Sequence, residues 1–403
     1  MRQQHRSQPG SAPLDWAAAR RTTYEAGLLA KLLPVRYPIG QADGATLAEP
    51  LRTLTPLPAF PTSSVDGYAV RGEGPWRLSG RVLAGGEPGE LRDGGAVEIA
   101  TGAMVPERTE RLIRVEHATV ADGHVTVENL PGPRTDVREI GEEAGAGEEL
   151  LPEGHPVTPG VIGLAASCGH DLISVRPKPR AALLIFGDEL AVTGPPGHGR
   201  VRDALGPALP SMLAHAGAEP VPGFRPRGPI DDTLEAHVSA LRAALDDADV
   251  VCTTGGTMHG PVDHLHPALA ELGASYVVNT VAVRPGFPML VAALPGDRFV
   301  VGLPGNPQSA IVAVVSLVLP LLAGLSGREF PTTSTVELGA DIAGRGDYTH
   351  LSLVKVNGRK AYPLPHAGSA MLRGLAAADG FAIIPPGEHA SAGQQVGFVR
   401  IPS

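Results

Sequence analysis

Apolar and polar positions repeat with two different periods along this chain, and the switches between them divide it. From Leu14 to about Leu33, Ala and Leu recur at helical spacing behind Asp15, whose carboxylate can cap the first turn. The spacing predicts an opening helix. Ala48 to Glu143 then breaks into short alternating runs (Ala69–Val70, Trp76–Leu78, Val97–Ile99, Leu112–Val115, Val125–Val127) punctuated by Gly and Pro. That pattern predicts a small β domain over 48–143. Helical spacing returns over Thr158 to Cys168, and a strand follows at Ile173–Val175. Because both follow the β domain, it reads as an insertion into a helical module built from 14–47 and 144–178.

Beyond Arg180 the two periods alternate. Strands are expected at ALLIFG, near Pro220, at VVCTT and at FVVGL, with helices over Leu205–Ala216, Thr233–Leu245, Asp263–Leu272 and the apolar run after the loop Pro304–Ser309. Strict alternation at this spacing predicts a doubly wound parallel sheet over 179–328, with helices on both faces. From Pro331 the pattern is β again (Thr335–Leu338, His350–Val356, Gly380–Ile384, Gln395–Ile401), giving a C-terminal β-barrel or sandwich over 329–403. The fold class is therefore multidomain α/β and β.

Composition narrows the function classes. At 403 residues the chain exceeds one ordinary core. A formal charge of −9 without a Lys/Arg stripe argues against nucleic acid and against a basic membrane surface. Met1–Pro13 is polar and lacks the apolar core of a signal peptide, and no run of 18 uninterrupted apolar residues occurs, so the reading is soluble and cytoplasmic. Cys168 and Cys252 sit in apolar surroundings and read as buried free thiols.

The candidate chemistry lies at strand ends. In FVVGLPGNPQS, Pro304 and Pro307 fix the backbone around Gly305 and Asn306, and a helix start follows where unpaired N–H groups favour an anion. A second strand runs into Thr254-Gly255-Gly256-Thr257, and in an open parallel sheet both loops face one crevice. Acids stand beside such loops: Asp66 in SSVDGYAVRG, Asp188 and Glu189 in FGDEL, Asp263 in HGPVDHL. Taken singly each suits a cap or solvated turn; together, after sheet strands, they suit oxygen ligation of a divalent ion. Thr101 and Gly102 in EIATGAMVP form another polar turn. His259, His264 and His266 include an H-x-H spacing that can ligate zinc, though such His residues are more often surface groups. No G-x-S-x-G, Walker or dinucleotide loop is present.

The set SSVDGYAVRG, EIATGAMVP, VREIGEE, FGDEL, TTGGTMHGPVD, VRPGFP and GLPGNPQS, in this order, resembles the molybdopterin molybdenumtransferases, whose α/β domain is similar to part of gephyrin. The resemblance implies insertion of molybdate into adenylylated molybdopterin with release of AMP, with Mg²⁺ as cofactor. It also implies an elongated homodimer formed through the helical module, whose site joins the α/β domain of one copy to the inserted β domain of the other. The molybdopterin adenylyltransferase is implied as a further partner. By motif, the catalytic set is Asp66, Thr101, Glu189 and Asp263, and the metal set is Asp188, Glu189, Asp232 and Asp263. Substrate contacts fall on Arg138, Gly255, Gly256, Arg284, Pro304, Gly305, Asn306, Pro307 and Ser369.

Departures from the pattern are Phe186 for a Thr, Asp203-Ala204-Leu205 for Asp-Thr/Ser-Asn, GGTMHG for GGVSVG, Phe287 and Thr280 for Lys, Arg284 for Lys, and His350 for Arg. Lost charge-assisted contacts are worth about 1.5–3 kcal/mol each. The missing cations favour one other reading, a molybdopterin-binding paralogue without turnover; a second is a nucleotide pyrophosphatase of the competence-damage type, which carries a similar α/β domain but would not need the β domain around Asp66.

Overall fold

The structure, a computed structural model, describes residues 12–221, 227–258 and 263–403. His259 lies outside the described residues. The chain forms two compact units, one comprising Met1–Val35, Gly44–Ala48 and Val175–Ser403, the other Arg36–Asp43 and Glu49–Ser174.

In the first unit, strands Arg180–Phe186, Val250–Thr254 and Arg298–Leu303 are parallel neighbours, in register at Ala181/Val250 and Val250/Phe299. All three are buried almost throughout, because helices cover both faces; the charged Arg180 and Arg298 stand at the strand starts. Glu219–Pro220 and Arg227–Ile230 extend the sheet beside Arg180–Phe186. The opposite edge corrects the all-parallel expectation. Leu290–Leu294 and Ser275–Val278 are antiparallel. Pro295-Gly296-Asp297 turns Leu290–Leu294 directly into Arg298–Leu303, with Gly296 and Asp297 at φ +79° and +58°; so tight a turn joins only antiparallel strands.

Leu303 leads into a helix over Pro307–Leu325, with a π-helical stretch at Val314–Val318. By length and composition this helix could cross a membrane, with mean hydropathy 2.1, but 89% of its most apolar 18-residue stretch is buried inside the fold. The opening helix, Trp16–Leu29, has Asp15 as its cap, accepting from the Ala18 amide at 2.9 Å. It packs on Leu319–Leu325. A Cβ at Gly27 would lie 2.6 Å from the Leu321 carbonyl, and one at Gly324 would lie 2.4 Å from the Tyr24 carbonyl, so the approach requires glycine on both helices.

The C-terminal strands close into a barrel. Thr349–Asn357 pairs with Lys360–Pro363 and with Gly380–Ile384, and Ser334–Leu338 and Gln395–Arg400 complete the ring. Lys360–Pro363 has no counterpart in the sequence reading because its Tyr-Pro end resembles a turn. Val283–Arg284 pairs in parallel with Thr349–His350, bringing Arg284 beside the barrel.

The second unit centres on a six-stranded sheet ordered Arg111–Arg114, Gly67–Val70, Gly95–Ile99, Trp76–Val82, His124–Val127, Ala118–Ala121. Its helix Pro159–Ser167 begins at Thr158, whose hydroxyl accepts from Val161 N at 3.3 Å.

Candidate active site at the strand ends of the α/β unit

The two strand-end loops meet. A Cβ placed on Gly305 would lie 3.7 Å from the Gly255 Cα, and Gly255, Gly305, Asn306, Pro307 and Glu189 border one cavity of about 530 Å³. This is the shared crevice that the sequence predicts. Gly255 has φ +87°, and its N–H donates to Leu303 O at 3.0 Å, so the turn is held by the sheet. Gly256 does not border this cavity; its Cα faces Leu265 and His237.

Fewer loop amides face outward than the sequence suggests. Pro307 has none, and the Gln308 amide donates to Ser369 O at 3.0 Å. With its side-chain nitrogen facing them, Gln308 also donates to the carbonyls of Ala367 (3.0 Å) and Gly368 (2.9 Å). These bonds tie the Ala367–Ser369 turn to the Pro304–Pro307 loop.

Arg284 and the glycine loops do not share a cavity. Arg284, Pro304, Ser369, Arg345, Tyr348 and His350 border a second space of about 520 Å³, with Asn306 common to both. Among the described residues no carboxylate lines this second space, and two guanidinium groups do, so it suits an anion. Arg284 and His350 are opposite each other in strand register. His350 Nδ1 lies 2.8 Å from Ala343 O; a carbonyl only accepts, so Nδ1 carries the proton and the neutral ring leaves Nε2 bare. Burial, with Arg345 nearby, holds this imidazole below its usual pKa.

The four acids assigned to metal do not converge. Among the described residues no group of three or more His, Cys, Asp or Glu could hold an ion. Asp188 and Asp232 form a pair: Asp188 N donates to Asp232 Oδ2 at 3.2 Å, and Asp232 N donates to Asp188 Oδ1 at 3.3 Å. Their remaining oxygens form an all-oxygen donor set, which fits Mg²⁺, an ion commonly held by one or two carboxylates with water and phosphate completing the shell. Glu189 instead turns toward Gly187, with Oε2 2.6 Å from a Cβ built there, and borders the first cavity.

Sequence reasoning missed His237. It is fully buried, stacks on Phe186 with centroids 3.7 Å apart, and sets Nε2 3.7 Å from Asp232 Oδ1. Burial depresses its pKa, opposed chiefly by Asp232, with Asp263 acting in the same sense as Asp232. Asp263 is half-buried and belongs to this neighbourhood. The signal available was Phe186 itself, an aromatic in place of a hydroxyl. His264 meets the His237 ring edge-on at 5.7 Å, whereas His266 pairs with Tyr276 OH at 2.6 Å, so these two histidines serve different neighbours. Asp203, beside the first cavity, caps the helix Leu205–His215 through Leu205 N (3.0 Å) and Gly206 N (2.9 Å).

In the second unit, Asp66 Oδ1 accepts from both the amide (2.7 Å) and hydroxyl (3.0 Å) of Thr101, which holds its carboxyl below the usual carboxylate range. Arg138 pairs with Thr62 across a short antiparallel ladder and lies 3.6 Å from Glu143.

A cavity with two guanidinium groups, adjoining glycine turns at the ends of parallel strands, defines an α/β protein suited to an anionic ligand. Family models agree on the kind. The MoeA N-terminal region (domain I and II) matches residues 15–169, the probable molybdopterin binding domain 182–324, and the MoeA C-terminal region (domain IV) 335–401. The molybdopterin molybdenumtransferase of Haemophilus influenzae is 33% identical over 299 residues, 72% of each chain. That of Nostoc sp. is 30% identical over 387 residues, 90% of this chain and 87% of its own. The crystal structure of the molybdopterin biosynthesis moea protein from Pyrococcus horikosii superposes with a TM-score of 0.79 at 26% identity, covering 97% of this chain and 100% of that one. The chain belongs to the molybdopterin molybdenumtransferase family.

Proposed function

We propose that this protein transfers molybdenum from molybdate to adenylylated molybdopterin, releasing AMP. The observation that carries the reading is the pair of adjoining cavities sharing Asn306: one bordered by Gly255, Gly305 and Glu189, the other by Arg284, Arg345 and Ser369 without a carboxylate. A phosphoanhydride and a tetrahedral oxyanion need different walls, and one loop here separates two such spaces. The first takes the phosphates of the adenylylated pterin, against small backbone turns that let a ligand approach closely. The second takes molybdate, whose negative charge the guanidinium groups offset.

Asp188 and Asp232 are the residues that would hold Mg²⁺, which when bound offsets phosphate charge. Glu189 borders the first cavity and takes the proton of the water that attacks the phosphoanhydride as AMP leaves. Asp263 supports this side of the site through His237. Asp66, kept ionised by Thr101, and Arg138 belong to the second unit, and we assign them to closing the site from a second copy of the chain.

The deciding experiment is AMP release from adenylylated molybdopterin, with and without molybdate, for the wild type and Glu189→Ala. Molybdate-dependent release that falls at least a hundredfold in the variant is expected. Equal rates in both proteins would remove Glu189 from the chemistry. The inward use of the Gly255 and Gln308 amides favours a second reading, a binder without turnover. Tight binding of the adenylate with no AMP release from the wild type selects that alternative.

A further inference from the structure

We propose that Tyr348, helped by Phe287, is a positioning residue that holds the Arg284 guanidinium as a fixed fork for a tetrahedral oxyanion. The proposal rests on the oxyanion reading of the second cavity given above. The guanidinium carbon of Arg284 lies 4.4 Å from the Tyr348 ring centroid and 5.3 Å from that of Phe287. The two rings meet edge to face, 5.9 Å apart at 83°, and so form a corner that the arginine fills. Among the described residues no carboxylate pairs with Arg284, in contrast to Arg114, which holds Asp136 at 2.7 Å.

How the arginine is held decides what remains for a ligand. A carboxylate partner would take the in-plane N–H donors and neutralise the charge. A ring takes only the flat face, leaving charge and donors available. The corner also limits the rotamers of a long side chain before a ligand arrives, so less freedom is lost on binding. The backbone supports the same geometry. Arg345 and Tyr348 face each other across a tight antiparallel bridge, and Arg284 pairs in register with His350 two residues beyond Tyr348. The turn thus carries one cation and the platform for another, and both border the cavity with Ser369. Phe287 stands where the sequence pattern has a lysine, so this chain has exchanged a second cation for a surface that orients the first.

The test measures binding of tungstate, as an unreactive tetrahedral oxyanion, to the full chain by titration calorimetry, with thermal unfolding recorded for each variant. Tyr348→Leu is expected to weaken binding about 3- to 30-fold, the range of a partly desolvated cation–π contact. Tyr348→Phe should restore it, since the ring and not the hydroxyl is required. In an Arg284→Gln background, Tyr348→Leu should have no further effect, an outcome that mere loosening of the barrel does not produce. Phe287→Leu, which lies outside the barrel strands, supplies the same test at smaller size if Tyr348→Leu unfolds. Unchanged tungstate affinity in Arg284→Gln would overturn the oxyanion reading of the cavity. A clear loss in Arg284→Gln with unchanged affinity in Tyr348→Leu and Phe287→Leu, or equal losses for Tyr348→Leu with and without Arg284, would overturn the positioning role alone.

Discussion

Asp188 and Asp232, one after the first strand of the parallel sheet and one before a helix, each donate a backbone amide to the other's carboxylate, at 3.2 and 3.3 Å. The exchange fixes both side chains while each keeps one oxygen outside the pair. Under the assignment proposed above, removing either charge would remove a Mg²⁺ ligand and leave the backbone contacts largely in place, because an amide oxygen still accepts. Asp188→Asn and Asp232→Asn are each expected to weaken Mg²⁺ binding about ten- to a hundredfold, the equivalent of one lost charge-assisted contact. Calorimetric Mg²⁺ titration checks this, and an unchanged affinity in both variants would place the ion elsewhere.

Gly255 is held at φ +87°, and a Cβ there would stand 3.3 Å from the Phe186 carbonyl. Gly255→Ala is expected to cost about 1–2 kcal/mol for the left-handed conformation alone. The added methyl also crowds Phe186, which borders the first cavity, so affinity for the adenylylated pterin should fall with stability. A urea denaturation midpoint that does not move in Gly255→Ala would mean that the turn relaxes freely.

The parts of this fold that alternate by period were legible in the sequence. The opening helix, the β runs after Ala48 and the strands at Arg180, Val250 and Arg298 follow from spacing and caps that act over a few residues. The antiparallel edge was not legible, since Leu290–Leu294 is as apolar as a parallel strand and only the Pro295–Asp297 turn distinguishes them. In the site, glycine and acid motifs located the crevice between Gly255 and Gly305. They could not show that Arg284 opens onto a separate cavity, because its company comes from the barrel, 60 or more residues later in Arg345, Tyr348 and His350. His237 was hidden for a related reason: its position depends on stacking with Phe186 across the sheet, which leaves no periodic trace.

Arg20 tests how the opening helix is anchored. It is buried to 2% exposure, donates to the carbonyls of Val315 and Pro331, and lies against the rings of Trp16 (4.9 Å) and Phe330 (5.4 Å). Burial lowers its pKa to about 10, so the group remains charged at neutral pH. Val315 sits in the π-helical stretch, where the i→i−4 ladder is broken and a carbonyl is available to an outside donor. Arg20→Leu leaves a buried carbonyl and a part-buried one without that donor, at about 1–3 kcal/mol each, and is expected to lower unfolding free energy by about 2–4 kcal/mol. Chemical denaturation measures it; a change below about 0.5 kcal/mol, the scatter of surface substitutions, would mean water replaces the guanidinium without loss.

His350 makes the second cavity sensitive to pH. Its imidazole is held below the ordinary value of 6.5, by burial first and by the Arg345 charge as well, against the opposing bond to Ala343 O. The other charged groups bordering the space, Arg284 and Arg345, are guanidinium groups, so the sign follows from His350 alone. At pH 7 the ring is neutral and presents a bare Nε2, which attracts no oxyanion. As pH falls through the depressed pKa the ring gains a proton, Nε2 becomes a donor, and a bound dianion raises that pKa in turn. Tungstate binding should therefore strengthen between pH 7 and pH 5 and be accompanied by proton uptake, read as a buffer-dependent binding enthalpy. His350→Arg should bind more tightly at pH 7 and lose most of this dependence, because a guanidinium is charged throughout. For folding the sign is opposite: a depressed pKa means that acid favours the unfolded chain, so stability present above pH 6.5 declines as pH falls toward the folded-state value. Ligand affinity rising while unliganded stability falls over the same interval is the signature of this residue, and parallel pH profiles in wild type and His350→Arg would exclude it.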